Sequence, residues 1–121
     1  YFLWEPRPLD ISKMQTAAAL LVGKHDFSCF RGSLCQAKSP IKTIEYIQIE
    51  SFKDELIISI KANAFLHHMV RNIVGTLLKI GRGEKNVEWM SLVLASKDRK
   101  EAGPTAEPQG LYFIKAFYQE I

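Results

Sequence analysis

Apolar residues recur at two spacings along this chain, and the spacing divides it into elements. From Lys61 to Gly83 the sequence reads KANAFLHHMVRNIVGTLLKIGRG. At about 100° per residue, Phe65, Leu66, Met69, Ile73, Thr76, Leu77 and Ile80 fall on one arc of a helix. His67, His68, Arg71, Asn72, Gly75 and Lys79 fall on the opposite arc, and Leu78 projects between His67 and Arg71. Asn63 can cap the start and Gly81 can end it, so the pattern predicts one helix between them. Gly75 costs that helix about 1 kcal/mol relative to alanine. It also leaves room for something to approach Arg71.

The other stretches follow the same logic. Asp10 can cap a helix that places Ile11, Met14, Ala18 and Leu21 at helical spacing, with Gly23 ending it. Phe27 and Phe30 predict a short helical turn with both rings buried. Ile41 to Glu50, rich in β-branched and aromatic residues, reads as a strand, and Ser51 to Asp54 as a turn. Glu55 to Lys61 alternates, with Leu56, Ile58 and Ile60 on one face, so it predicts a half-buried antiparallel partner. Asn86 can cap a second helix over Val87 to Ser96 with Trp89, Leu92 and Val93 inward. Lys97 to Gln109 is loop, and Gly110 to Tyr118, apolar on both faces, predicts a strand inside the sheet. The order α-β-β-α-α-β gives an α+β fold, helices packed on an antiparallel or mixed sheet. Residues 1–9, with Pro6 and Pro8, read as a linker leaving an upstream strand, and residues 1–121 as a single domain.

Composition adds bounds rather than a function. The chain has 121 residues, enough for one domain with a real core. Its 47% hydrophobic and 24% charged residues are those of a soluble globular protein. A net charge of +3 is compatible with a polyanionic partner without requiring one. The longest apolar run is far short of a membrane span, no signal peptide is visible, and the start at Tyr1 points to a piece of a longer protein. Cys29 and Cys35 form neither a CxxC pair nor a four-ligand metal set, and are expected as free thiols in a reducing cytosol.

Few residues carry candidate chemistry. His67 and His68, adjacent on a helix, would point about 100° apart and could not share a metal. No GxSxG string or other nucleophile–base pattern occurs, and Gly81-Arg82-Gly83 is too short for a phosphate loop. Arg71 supports two readings. It is a surface arginine in a helical salt bridge, or a cation pinned beside Gly75 and Leu78, ready to pair with a carboxylate from another segment.

One further pattern bears on that choice. FLHHMVRNIVGTLLKIGRG resembles the signature segment of the TruA family of tRNA pseudouridine synthases. LLVGKHDFSCFR (20–31), CQAKSPIKTI (35–44), IKANAF (60–65) and GPTAEPQGLYFIKAFY (103–118) are similar to the same family, in the same order. The family's catalytic aspartate lies in a GRTDxGV-like segment of its N-terminal half, and no such string occurs here. The resemblance therefore implies the C-terminal portion of a pseudouridine synthase fold. It implies an intact enzyme that isomerises uridine in the anticodon stem-loop of tRNA, with no metal or organic cofactor, as a cytoplasmic homodimer with no membrane association. Within it, Arg71 is expected to pair with an aspartate outside this chain and Leu78 to wall the pocket. Arg31, Lys38, His67, His68, Asn72, Lys79 and Arg82 are the candidate RNA contacts. The alternatives are a non-catalytic RNA-binding module and a dimerisation domain.

Overall fold

The computed structural model describes residues 2–4, 9–32, 39–52, 55–106 and 115–118. Its elements are β1 (Phe2–Trp4), α1 (Ile11–Ala19), β2 (Gly23–Asp26), β3 (Ile41–Phe52), β4 (Glu55–Ala62), α2 (Met69–Gly81), α3 (Glu88–Ser96) and β5 (Lys115–Tyr118). Short 3₁₀ turns occupy Ser28–Phe30 and Arg99–Glu101.

The alternating stretch becomes the centre of the sheet. β4 pairs antiparallel with β3, with Gln48 opposite Ser59, and β2 lies antiparallel beyond β3. The other side of β4 is shared end to end. β1 pairs antiparallel along its first residues, Leu3 opposite Leu56, and β5 pairs parallel along its last, Ile60 opposite Ala116. The sheet is therefore mixed, and the fold is α+β as the pattern predicts. Within the stretch read as a linker, Phe2–Trp4 is the strand β1.

The period-two face of β4 buries Leu56, Ile58 and Ile60, as expected. They share one core with Met14, Ala17 and Leu21 from the first helical segment and with Ile73, Leu77 and Ile80 of α2. Asp10 caps α1 through its carboxylate, which accepts from the Lys13 N–H at 3.1 Å. Asp10 also donates its own N–H to the Gly81 carbonyl at 2.8 Å, tying the start of α1 to the end of α2. Phe27 and Phe30 bracket the first 3₁₀ turn, and both rings are buried. Among the described residues no helix is long and apolar enough to cross a membrane.

Three expectations need correction. The main helix starts at Met69 rather than after Asn63, because Asn63 is engaged by β3. Its N–H donates to the Thr43 carbonyl at 3.0 Å and its Oδ1 accepts from the Thr43 N–H at 2.9 Å. The helix instead follows His68, which holds φ 60, a left-handed conformation uncommon outside glycine. Gly23 does not end α1, which stops at Ala19; with φ +107 it opens β2, a strand that the spacing of apolar residues does not predict. On α3, Leu92 is 69% exposed and Met90 is buried with Val93. Residues 90 and 92 lie about 200° apart on a helix, so burying one exposes the other. β5 pairs with β4, and no second partner strand lies beside it among the described residues. Residues 110–114 of that predicted strand lie outside the described residues.

Candidate active site

The polar arc of α2 is covered by its own chain. Residues 103–106 lie directly along it, and two glycines make the approach possible. A Cβ on Gly75 would stand 1.6 Å from the Pro104 carbonyl oxygen, and one on Gly103 would stand 2.8 Å from the Thr76 Cα. The room that Gly75 opens beside Arg71 is thus filled by backbone from the loop after α3. Hydrogen bonds fasten this contact. The Gly103 N–H donates to Thr76 Oγ1 at 2.9 Å, and the Ala106 N–H donates to the Arg71 carbonyl at 3.1 Å.

Arg71 is half-buried in this contact. Its Nε–H donates to the Ala106 carbonyl at 3.0 Å, and its Nη1 lies 3.5 Å from His68 Nε2. Among the described residues no carboxylate pairs with it. Its fixed neighbours are a backbone carbonyl and an imidazole, not the partner of a helical salt bridge. Holding a guanidinium by Nε orients the remaining fork, the geometry that takes a carboxylate in two parallel hydrogen bonds.

Asn72 departs from expectation. It is 1% exposed, so it does not lie on an open RNA-facing surface. Its Nδ2 donates to the Phe30 carbonyl at 2.8 Å. Its Oδ1 accepts from Thr105 Oγ1 at 2.5 Å and from Arg99 Nη2 at 3.1 Å. A buried amide needs such partners, and these join three segments of the chain. Arg99 was not singled out from sequence, yet it also donates from Nη1 to the Gly103 carbonyl at 2.7 Å and from Nη2 to Thr105 Oγ1 at 3.1 Å. In sequence it sits in Asp98-Arg99-Lys100, which reads as solvated charge; its place four residues before Gly103-Pro104 is the one available signal.

His67 and His68 are exposed in the turn before α2, not on the helix. Their rings stack at 3.8 Å between centroids and 26° between planes. Adjacent residues point apart on a helix, but the left-handed turn at His68 brings these together. Partial desolvation, then the neighbouring charges of His67 and Arg71, hold His68 below the ordinary histidine value. The His67 carbonyl accepts from the Gly32 N–H at 2.8 Å, which brings the Arg31–Gly32 backbone to the same place.

The structure therefore gathers Arg31, His67, His68 and Arg71 at the start of α2. Lys79 and Arg82 lie at its other end, Lys79 roughly 12 Å further along the axis than Arg71. Leu78 is buried in the core cluster two turns on from Arg71. Lys38 lies outside the described residues. Cys29 is buried, and its thiol is pushed up to about 12 by that burial, so it is no nucleophile.

Residues 17–119 match the family model described as tRNA pseudouridine synthase. Curated relatives agree along almost the whole chain. The tRNA pseudouridine synthase A of Hydrogenovibrio crunogenus is 52% identical over 117 residues, which cover 97% of this chain and 45% of the relative. That of Herminiimonas arsenicoxydans is 55% identical over 115 residues, covering 95% and 42% respectively. That of Pseudomonas aeruginosa is 50% identical over 115 residues, covering 95% and 40%. The chain thus spans under half the length of each of these relatives.

Proposed function

The chain belongs to the tRNA pseudouridine synthase family, and from that premise we propose that it is the C-terminal part of an enzyme that isomerises uridine to pseudouridine in tRNA. The observation that carries the reading is Arg71, a guanidinium held through Nε by the Ala106 carbonyl with no carboxylate partner among the described residues. In this reading the partner is an aspartate from the part of the protein beyond this chain. The arginine keeps that carboxylate ionised by favouring its charged form.

The reaction breaks the bond between uracil N1 and the ribose C1′, turns the base, and joins C5 to C1′. The proton on C5 is lost and N1 gains one, so atoms balance without an oxidant or a cofactor. The target base must first leave the stack and enter a pocket. Arg31, His67 and His68 lie beside Arg71, which supports a role for them in meeting the tRNA backbone, and Leu78 is kept as a candidate pocket wall. Asn72 is not retained as an RNA contact. An anticodon stem-loop substrate, a homodimer and a cytoplasmic location complete the reading.

Tritium release from tRNA labelled at uridine C5 tests it. The full-length protein should release tritium, and the 121-residue chain alone should not. Turnover by the chain alone would overturn the assignment of the carboxylate to another segment. Steep loss of tRNA affinity with added salt is expected, since Lys and Arg would displace counterions from phosphate. Salt-independent affinity would count against RNA binding by this surface.

A further inference from the structure

We propose that Arg99 is a positioning residue for Arg71, acting through the loop that the two share; the proposal rests on the reading of Arg71 given above. Arg99 makes three hydrogen bonds, to the Gly103 carbonyl, Asn72 Oδ1 and Thr105 Oγ1. Two of the acceptors are the first and third residues of the segment lying on α2, and the third acceptor, Asn72, is fixed within α2. The fork therefore clamps loop to helix at a set separation. Ala106, the next residue, makes two contacts with Arg71: its N–H donates to the Arg71 carbonyl, and its own carbonyl accepts from Arg71 Nε. Ala106 carries only a buried methyl group, with no polar side-chain atom to fix its carbonyl. Its carbonyl is aimed by the Gly103–Thr105 backbone, and that backbone is aimed by Arg99.

The chemistry favours arginine here. Thr105 Oγ1 accepts from Arg99 and donates to Asn72 Oδ1, which itself accepts from Arg99, so the three side chains close a ring. A planar fork serves acceptors in one plane, whereas a lysine offers a single point of charge. Charge-assisted bonds in a half-buried setting are the stronger kind. If they are cut, the loop carbonyl drifts and Arg71 loses its orientation. A misplacement of about 1 Å at a reacting group costs about 100-fold in rate.

Single-turnover assays on the full-length enzyme test this. Arg99→Gln should slow conversion by about 10- to 100-fold at saturating tRNA, with the tRNA dissociation constant unchanged. The decisive arm is a double-mutant cycle with Arg71→Lys, which keeps charge but lacks Nε. In that background Arg99→Gln should cause little further loss, because the contact it supports is already gone. Additive losses would overturn the proposal and leave Arg99 a fold stabiliser. So would a rate loss confined to temperatures at which the variant unfolds. If Arg99→Gln does not fold, Thr105→Val decides, with a smaller rate loss expected and the same non-additivity. Arg71→Ala separates the two claims. If it turns over normally, the reading of Arg71 has failed. If it is inactive while Arg99→Gln is normal, only the role of Arg99 has failed.

Discussion

At Gly75, helix propensity and tertiary packing pull in opposite directions, so Gly75→Ala has a diagnostic sign. In an isolated helix alanine would gain about 1 kcal/mol over glycine. Here the new methyl would stand 1.6 Å from the Pro104 oxygen and 2.8 Å from the Pro104 carbonyl carbon. Both are backbone atoms, so neither can swing aside. The loop would have to recede by roughly 2 Å to restore ordinary contact. That displacement breaks the Gly103–Thr76 bond and both Ala106–Arg71 bonds. At about 1 kcal/mol net for each of three bonds, the loss exceeds the helical gain by about 2 kcal/mol. For a protein of the relatives' size this lowers Tm by about 4–8 °C. Differential scanning fluorimetry of the full-length protein measures it. The same variant should slow catalysis, since it removes the carbonyl that holds Arg71. A Gly75→Ala protein that melts at or above wild type would refute the reasoning, because that is what helix propensity alone requires.

Three other outcomes follow from the same contacts. Asn72→Ala leaves the Phe30 carbonyl without its donor and removes the acceptor that Arg99 and Thr105 share, so it should destabilise by about 2–3 kcal/mol; an unchanged melting curve would contradict the buried network. Cys29 should resist iodoacetamide at mildly alkaline pH in the native state and react once denatured, read by peptide mass spectrometry; rapid native labelling at Cys29 would contradict its burial. His68 should titrate below the ordinary histidine value in an NMR pH series and move upward in His67→Ala, which removes one neighbouring charge. The unfolded chain then binds that proton more tightly, so the contribution of His68 to stability declines as pH falls from the ordinary histidine value towards the folded one. A midpoint at or above the ordinary value would contradict the desolvated, charge-crowded setting.

Local pattern carried far in this chain. The period-two face of Leu56, Ile58 and Ile60, the Asp10 cap and the paired phenylalanines all appear as their spacing predicts. Failures came where a tertiary partner took a group that local rules had assigned elsewhere. Asn63 has good capping chemistry, but β3 engages both its N–H and its Oδ1. Asn72 lies on the polar arc, yet that arc is covered by the loop from Gly103 to Ala106. Helical periodicity identifies a polar face; it does not say whether water or a distant loop lies on it. Gly75 was correctly read as a place of close approach. The approaching group, Pro104, stands 29 residues later, and no spacing rule links the two. Arg99 is nearly as hard to read, because beyond its place four residues before Gly103-Pro104 its meaning lies in contacts with the loop and with α2.

The role of Arg71 is tested most directly by single-turnover conversion of tRNA uridine by the full-length enzyme carrying Arg71→Ala. Removing the cation should raise the pKa of the partnering carboxylate and release its position, and the rate should fall by about 100-fold or more. The Phe65–Met69–Ile73–Leu77 side of the segment is untouched, so the melting curve should fall only by what the one lost Arg71–Ala106 bond costs. Arg71→Lys should recover part of the rate, since charge returns without the two-pronged fork. Lys13→Ala, an exposed site on α1, serves as the matched loss of one positive charge and should turn over normally. An Arg71→Ala enzyme that converts uridine at the wild-type rate, or whose loss is fully explained by unfolding, would contradict the assignment of Arg71 to the reacting carboxylate.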